Sequence, residues 1–213
     1  MLKVSAPAIF RICLIALVTI HFFGVIGIAS SYKELFLRTT PLVLLISTFF
    51  LFLNFSSLSK RLVILFFLCA AIGYLAEVTG VQTAYLFGSY YYGENLGFKV
   101  FGVPLTIAIN WATLCIASAS VMSQLKMPKM LQIILAAVIP VAIDMLIEPL
   151  CSQLDFWHWT SGEVPLFNYI TWLAFSLLFC AVYLLSQSRL DNPFAKYYLL
   201  VQVIFFGVLN LLL

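Results

Sequence analysis

Charge is what this sequence has least of. Only 9% of its 213 residues are Asp, Glu, Lys or Arg, against 64% hydrophobic, and its mean hydropathy is +1.11. A water-soluble domain carries about 25% charged residues, so lipid rather than water is the main solvent of this chain. Metal-ligand sets are equally scarce. The two histidines, His21 and His158, lie far apart in sequence, which argues against an iron or zinc centre, and no metal site is expected. There is no HExxH helix, no GxSxG elbow and no phosphate-cradling glycine loop. Magnesium-bridged polyprenyl transfer needs acidic pairs on two helices, whereas only one pair, Asp144 with Glu148, is present. A retinal Schiff base needs a lysine inside the last helix, and Lys196 stands only at its start. The cysteines Cys13, Cys69, Cys115, Cys151 and Cys180 show no CxxC spacing and read as small buried hydrophobes.

What is present are apolar runs close to membrane-spanning length without period-two alternation. In lipid every backbone group must be paired internally, which leaves helices or closed barrels, and the pattern selects helices. The expectation is an all-α polytopic bundle, one domain over 1–213, of about seven transmembrane helices. They fall near 8–29, 41–58, 61–77, 103–122, 130–150, 165–186 and 196–213. The first has no cleavage site after a short apolar core and reads as a retained helix. Lys3, Arg11, Lys60, Arg61, Lys126, Lys129, Arg189 and Lys196 fall on one side; Lys33, Arg38 and Lys99 fall on the other. That asymmetry places the N-terminus in the cytoplasm and the C-terminus outside. Such scattered pairs make no nucleic-acid surface.

The acids are distributed the other way. Glu34, Glu77, Glu94, Asp144, Glu148, Asp155 and Glu163 map to the outer side, and Asp191 alone to the inner. With a rise of about 1.5 Å per residue, Asp144 sits about 21 Å up its helix, Glu77 about 24 Å and His21 about 20 Å. Asn110 lies about 12 Å below the outer end of its helix, and Asn168 opens the sixth. Five helices thus bring ionisable or amide groups to one layer. Asp144 and Glu148 are i, i+4 and share a face; Thr106, Asn110 and Thr113 share another, as do Asn168, Thr171 and Trp172. Pro140 is expected to kink the acidic helix and Pro149 to end it. Two carboxyls one turn apart in lipid repel, so at least one is expected to keep its proton near neutral pH.

Structural readings of the same residues stand beside the chemical one. Glu77 and Glu148 lie close enough to helix ends to meet interfacial water. Asn110 and Asn168 fit interhelical hydrogen bonding equally well, and His21 fits a packed histidine. Trp111, Trp157, Trp159, Trp172 and the run Tyr90–Tyr92 belong in part to an aromatic belt, although a belt does not explain their excess on the acidic side.

Two ordered blocks carry a resemblance. The first has Gly73, Glu77, Thr79–Gly80, Thr83, Phe87–Gly88, Tyr90, Tyr92, Leu96–Gly97, Gly102–Val103–Pro104 and Asn110–Trp111. The second has Asp144, Glu148–Pro149, Trp157, Trp159, Gly162, Val164–Pro165, Asn168–Tyr169 and Trp172. Over about 61–175 the chain resembles the membrane carotenoid hydratases of bacteria and archaea, grouped with bisanhydrobacterioruberin hydratase and gamma-carotene hydratase. It departs in having Glu148–Pro149 where the family often has Asp-Pro, which moves a carboxyl by about one methylene. It also has Gly162–Glu163 where an aromatic and a glycine often precede the second Val/Ile-Pro.

The resemblance implies water addition to the terminal double bond of an acyclic carotene end, such as that of lycopene or gamma-carotene, giving a tertiary alcohol without a cofactor. Its partners would be a lipophilic carotenoid, water and membrane lipid. The setting would be the bacterial or archaeal cytoplasmic membrane, with the active layer toward the outer leaflet. Asp144 is the first choice as proton donor, Glu148 as its partner or base, and Glu77 as a further carboxyl. Asn110 and Asn168 would hold water or a carboxyl, and the tyrosines and tryptophans would line the site with His21. A transporter using the same buried acids, or a non-catalytic carotenoid- or lipid-binding protein, is the alternative; transporters usually carry inverted repeats and mid-bilayer broken helices, and no repeat is visible here.

Overall fold

A computed structural model describes residues 6–186 and 190–213. Two of the bases that orient the sequence, Lys3 and Arg189, lie outside the described residues. Helices α1 (Ala6–Ile28), α2 (Lys33–Leu37), α3 (Thr40–Leu53) and α4 (Lys60–Thr83) are followed by short strands β1 (Tyr90–Tyr92), β2 (Lys99–Val100) and β3 (Val103–Pro104). Then come α5 (Leu105–Ser123), α6 (Lys129–Ile147) with a 3-10 turn at Glu148–Leu150, strand β4 (Trp157–Trp159), α7 (Leu166–Leu185) and α8 (Ala195–Leu212). Among the described residues six helices are long and apolar enough to cross a membrane, and the apolar α3 is shorter at 14 residues. The protein is an all-α polytopic bundle.

Helix α5 forms the axis, and composition explains why. Ala112, Ala117, Ser118, Ala119 and Ser120 are small enough for neighbouring backbones to approach, and all are fully covered. The Ser118 and Ser120 hydroxyls donate back to the Leu114 and Ile116 carbonyls at 2.8 and 2.7 Å, so they need no partner elsewhere. Helices α3, α4, α6, α7 and α8 pack around α5, whereas α1 leans on α8. The apolar stretch of α1 is 17% buried against 72% for α5, which leaves most of α1 facing lipid.

Prolines mark several helix starts. Pro104, Pro128 and Pro165 immediately precede α5, α6 and α7, with extended or polyproline-like backbone. At one end of the bundle, the turn after α3 is tied to the α7–α8 connection. The Ser56 amide and hydroxyl donate to the Asp191 carbonyl and carboxyl, both at 3.0 Å, and Asn192 Nδ2 donates to the Leu51 carbonyl at 2.8 Å. At the opposite end Asn210 of α8 donates to the Leu146 carbonyl of α6 at 2.7 Å.

Two sequence expectations are corrected here. The helix expected over 61–77 runs on to Thr83, so Glu77 lies well inside it and is only 2% exposed, not interfacial. Gly80 has no room for a Cβ, which would collide with the Phe87 ring and crowd the Tyr90 hydroxyl. It is a close-packing glycine within the helix, and the helix ends at Ala84 in the left-handed region (φ 58°). The second correction concerns the loops. The two long stretches between expected helices, roughly 78–102 and 151–164, read as irregular backbone in the sequence but pair with each other: Tyr90 opposite Trp159, Tyr91 opposite His158 and Tyr92 opposite Trp157, antiparallel.

Candidate functional site

That strand pair places the aromatics. Side chains alternate faces along a strand, so Tyr90, Tyr92, Trp157 and Trp159 share the face turned into the bundle. Tyr91 and His158 take the other face and stack on each other with ring centroids 5.0 Å apart. A loop clasp holds the pair in register. The Asp155 carboxyl accepts from the Glu94 amide at 2.8 Å and contacts His158 Nε2 at 2.8 Å. The Gly93 amide donates to the Phe156 carbonyl at 2.9 Å, and Asn95 Nδ2 to the Leu154 carbonyl at 2.9 Å. A Cβ on Gly93 would strike both the carbonyl and the carboxyl of Asp155, so the strands close this tightly only over glycine. Partial burial works to raise the Asp155 pKa, but the hydrogen bonds from His158 and the Glu94 amide, with the nearby positive charges of His158 and Lys99, hold it below the usual value.

Beneath the strand pair lies a cavity of about 380 Å³. Of the residues singled out in the sequence, His21, Glu77, Tyr90, Tyr92, Asn110, Asp144, Glu148, Trp157, Trp159, Asn168 and Trp172 line it. Trp111 does not: it is fully covered and stacks behind Trp172, with an interplanar angle of 26°. Its indole lies near enough to Glu77 to act on it electrostatically, but without meeting hydrogen-bond geometry.

The three carboxyls have different surroundings. Glu77 accepts from both the Tyr90 and the Tyr92 hydroxyls on Oε2, the latter at 2.7 Å. Burial, reinforced by the neighbouring Glu77 charge, pushes both phenols well above their ordinary pKa, so they stay as donors. Glu148 sits in the 3-10 turn created where Pro149 ends α6. Its Oε2 accepts from the Trp159 and Trp157 indoles at 2.9 and 3.2 Å, and Cys151 Sγ approaches at 3.7 Å. Its Oε1 accepts from Asn168 Nδ2 at 3.3 Å. Burial, and then the Glu148 charge, raise the Cys151 thiol to about 12, so it remains protonated. Asp144 lies one helical turn below Glu148, 6% exposed, within electrostatic reach of Glu148, Glu77 and Asn168. Its Oδ2 has no hydrogen-bond partner among the described residues. Nor does any of the three make an ion pair among them.

The far wall is largely apolar, with His21, Gln202 and the threonines Thr19, Thr39 and Thr40 as its polar groups. His21 Nδ1 donates to the Leu17 carbonyl at 2.8 Å, and Gln202 Nε2 lies 3.0 Å from His21 Nε2. Gln202, on α8, escapes the sequence reading; its one sequence signal is an amide in the middle of an apolar helix. Phe156 was missed too, since nothing separates it from the many other phenylalanines, and Phe87 stood in the first motif block without being read as a lining residue. The arrangement offers an apolar chamber with one wall of carboxyls. Glu148 accepts on both oxygens and Glu77 accepts twice on Oε2, whereas the buried Oδ2 of Asp144 has no donor among the described residues.

A family model described as "Carotenoid biosynthesis protein" matches residues 39–213, and the chain belongs to that family. Comparisons with curated proteins and with solved structures return no match.

Proposed function

We propose that this integral membrane protein of carotenoid biosynthesis is a hydratase, adding water to the terminal double bond of an acyclic carotene end. The observation that carries the reading is the contrast among the three carboxyls. Glu77 and Glu148 are each surrounded by donors, which suits the carboxylate form. Asp144 lines the apolar chamber and has no hydrogen-bond donor on its buried Oδ2, which makes it the carboxyl best able to hold a proton and give it to an alkene.

In the step proposed, the alkene π pair takes the Asp144 proton, forming a C–H bond and leaving a tertiary cation on the adjacent carbon. A water oxygen lone pair then forms the C–O bond, and the proton released from that water passes to Glu148. Transfer between the two carboxyls, one turn apart, restores the starting state; the sum is one H2O added and no change in oxidation state. The faces of Tyr90, Trp159 and Trp172 favour the cation through their quadrupoles, and the apolar chamber discourages its capture by other nucleophiles. The uneven distribution of basic residues supports a site toward the outer leaflet of the cytoplasmic membrane.

The test is expression in cells accumulating lycopene, with chromatography and mass spectrometry of the pigment, repeated in 18O-labelled water. A more polar product heavier by about 18 Da, or about 20 Da in labelled water, is the expected result of one addition of water, the event that a general acid and base catalyse together. Pigment that co-purifies with the protein but never gains mass would favour a non-catalytic carotenoid-binding role. Neither product nor bound pigment, with lycopene, gamma-carotene and longer acyclic carotenoids alike, would refute the proposal.

A further inference from the structure

The cavity is roofed but not walled. The strand pair covers the end nearest the carboxyls. Beside it the Phe36 ring of α2 lies directly on Gly27 of α1, leaving no room for a Cβ. Between α1 and α3 the cover is thinner, because α1 packs mainly on α8 and α2 and meets α3 over a shorter stretch. Thr19, Ile20 and Phe23 of α1 and Thr39 and Val43 of α3 line the cavity there. Thr19 and Thr39 are also exposed on the outside of the bundle, and Phe23 is 54% exposed. Residues that border the chamber and face the surroundings at once mark an opening. At this depth on apolar helices, the surroundings are lipid.

The depth of the chamber bears on what passes through. Its lining runs from Thr19 to Ile28 on α1 and from Pro140 on α6 to Glu148 at the start of the 3-10 turn that follows it, about 12–14 Å along the helices at about 1.5 Å per residue. A forty-carbon polyene is comparable in length to the ~30 Å hydrocarbon core, so no more than one end of it fits. We infer that the opening between α1 and α3 is a lateral portal that admits one end of a long linear polyene from the bilayer, the remainder staying in lipid. The inference rests on the proposed hydratase reading for the polyene's identity, but the portal is read from the walls alone.

Two measurements test it in membrane vesicles carrying carotenoid. First, Ile20→Trp and Val43→Trp narrow the opening, with Ile64→Trp on the lipid-facing side of α4 (Ile64 is 65% exposed) as control. The portal variants are expected to raise KM about tenfold with kcat at saturation unchanged, the signature of lost access rather than lost chemistry; the control should match wild type. Second, a photoreactive phenylalanine analogue is placed at position 43 or at position 64. Pigment attached at 43 and not at 64 supports the portal, and does so even if wild-type protein never adds water, in which case the hydration reading fails alone. Hydration with unaltered KM in both tryptophan variants, or equal pigment attachment at 43 and 64, overturns the portal and leaves the chemistry standing. A phospholipid attached at 43 in place of pigment also overturns it.

Discussion

Replacing Asp144 by Asn tests the chemistry with the least disturbance of shape. The two side chains are nearly isosteric, and the new amide can keep the approach to Asn168. What changes is Oδ2, an atom already without a partner among the described residues. An amide NH2 turned into that buried place has donors without an acceptor opposite them, an unsatisfied group costing about 1–3 kcal/mol of stability. Glu148 and Glu77 are near enough to accept from it and reduce that cost. The fold, held by the small-residue packing around α5, should survive with a modestly lower melting midpoint.

Activity should respond far more strongly. A positioned general acid contributes about 10²–10⁴-fold to rate, equivalent to about 2.7–5.5 kcal/mol of barrier at about 1.36 kcal/mol per decade. Because the proton is transferred only in the transition state, the loss belongs in kcat, with KM for the carotenoid little changed. The assay is the initial rate of the 18 Da product in membrane vesicles, normalised to folded protein by monodisperse elution in detergent. Asp144→Asn protein that is folded and keeps more than half the wild-type rate would falsify the assignment of Asp144 as donor.

Three further outcomes follow from the same geometry. Trp159→Phe removes the shortest indole donor to Glu148 and leaves Trp157, Cys151 and Asn168 in place. A lost hydrogen bond to a charged acceptor is worth about 1.5–3 kcal/mol, so the thermal midpoint in detergent and the turnover rate should both drop, and an unchanged midpoint with unchanged rate refutes the cradle. The Asp155 clasp has a pH signature with a definite sign: its folded-state pKa is depressed, so its contribution is complete above the unfolded value of about 3.9 and is lost as pH falls through the folded value. Limited proteolysis of the 90–97 segment should therefore accelerate in acid for wild type, while Asp155→Asn should be cut faster at neutral pH and show no such acid step; a pH-independent wild type sinks this account. Glu77→Gln leaves Tyr90 and Tyr92 with a weaker acceptor between them, so it should lower the melting midpoint more than Asp144→Asn does, and the reverse order would mean that Glu77 does not anchor the strand pair.

The class of the molecule was legible because solvent decides it. With charge this scarce and backbone pairing obligatory in lipid, the all-helical bundle follows from composition and the length of the apolar runs. The depth at which His21, Asp144 and Asn110 lie was also readable, since a fixed rise per residue converts position into height. Helix ends were less so: Gly80 carries the same letter whether it stops a helix or lets a ring pack against it, and only the position of Phe87 distinguishes the two.

What sequence could not supply was which groups at that depth meet. Residues 90–92 and 157–159 are separated by two transmembrane helices, and three-residue strands have too short a pattern to announce a partner. Their pairing alone puts the Tyr90 and Tyr92 hydroxyls on Glu77 and the Trp157 and Trp159 indoles on Glu148. Sequence therefore determined that acids would lie buried together at one end of a lipid-solvated bundle. Only the tertiary structure decided which of them would be met by hydrogen-bond donors and that Asp144 Oδ2 would be buried without one, because hydrogen-bond satisfaction depends on angles and distances between segments far apart in the chain.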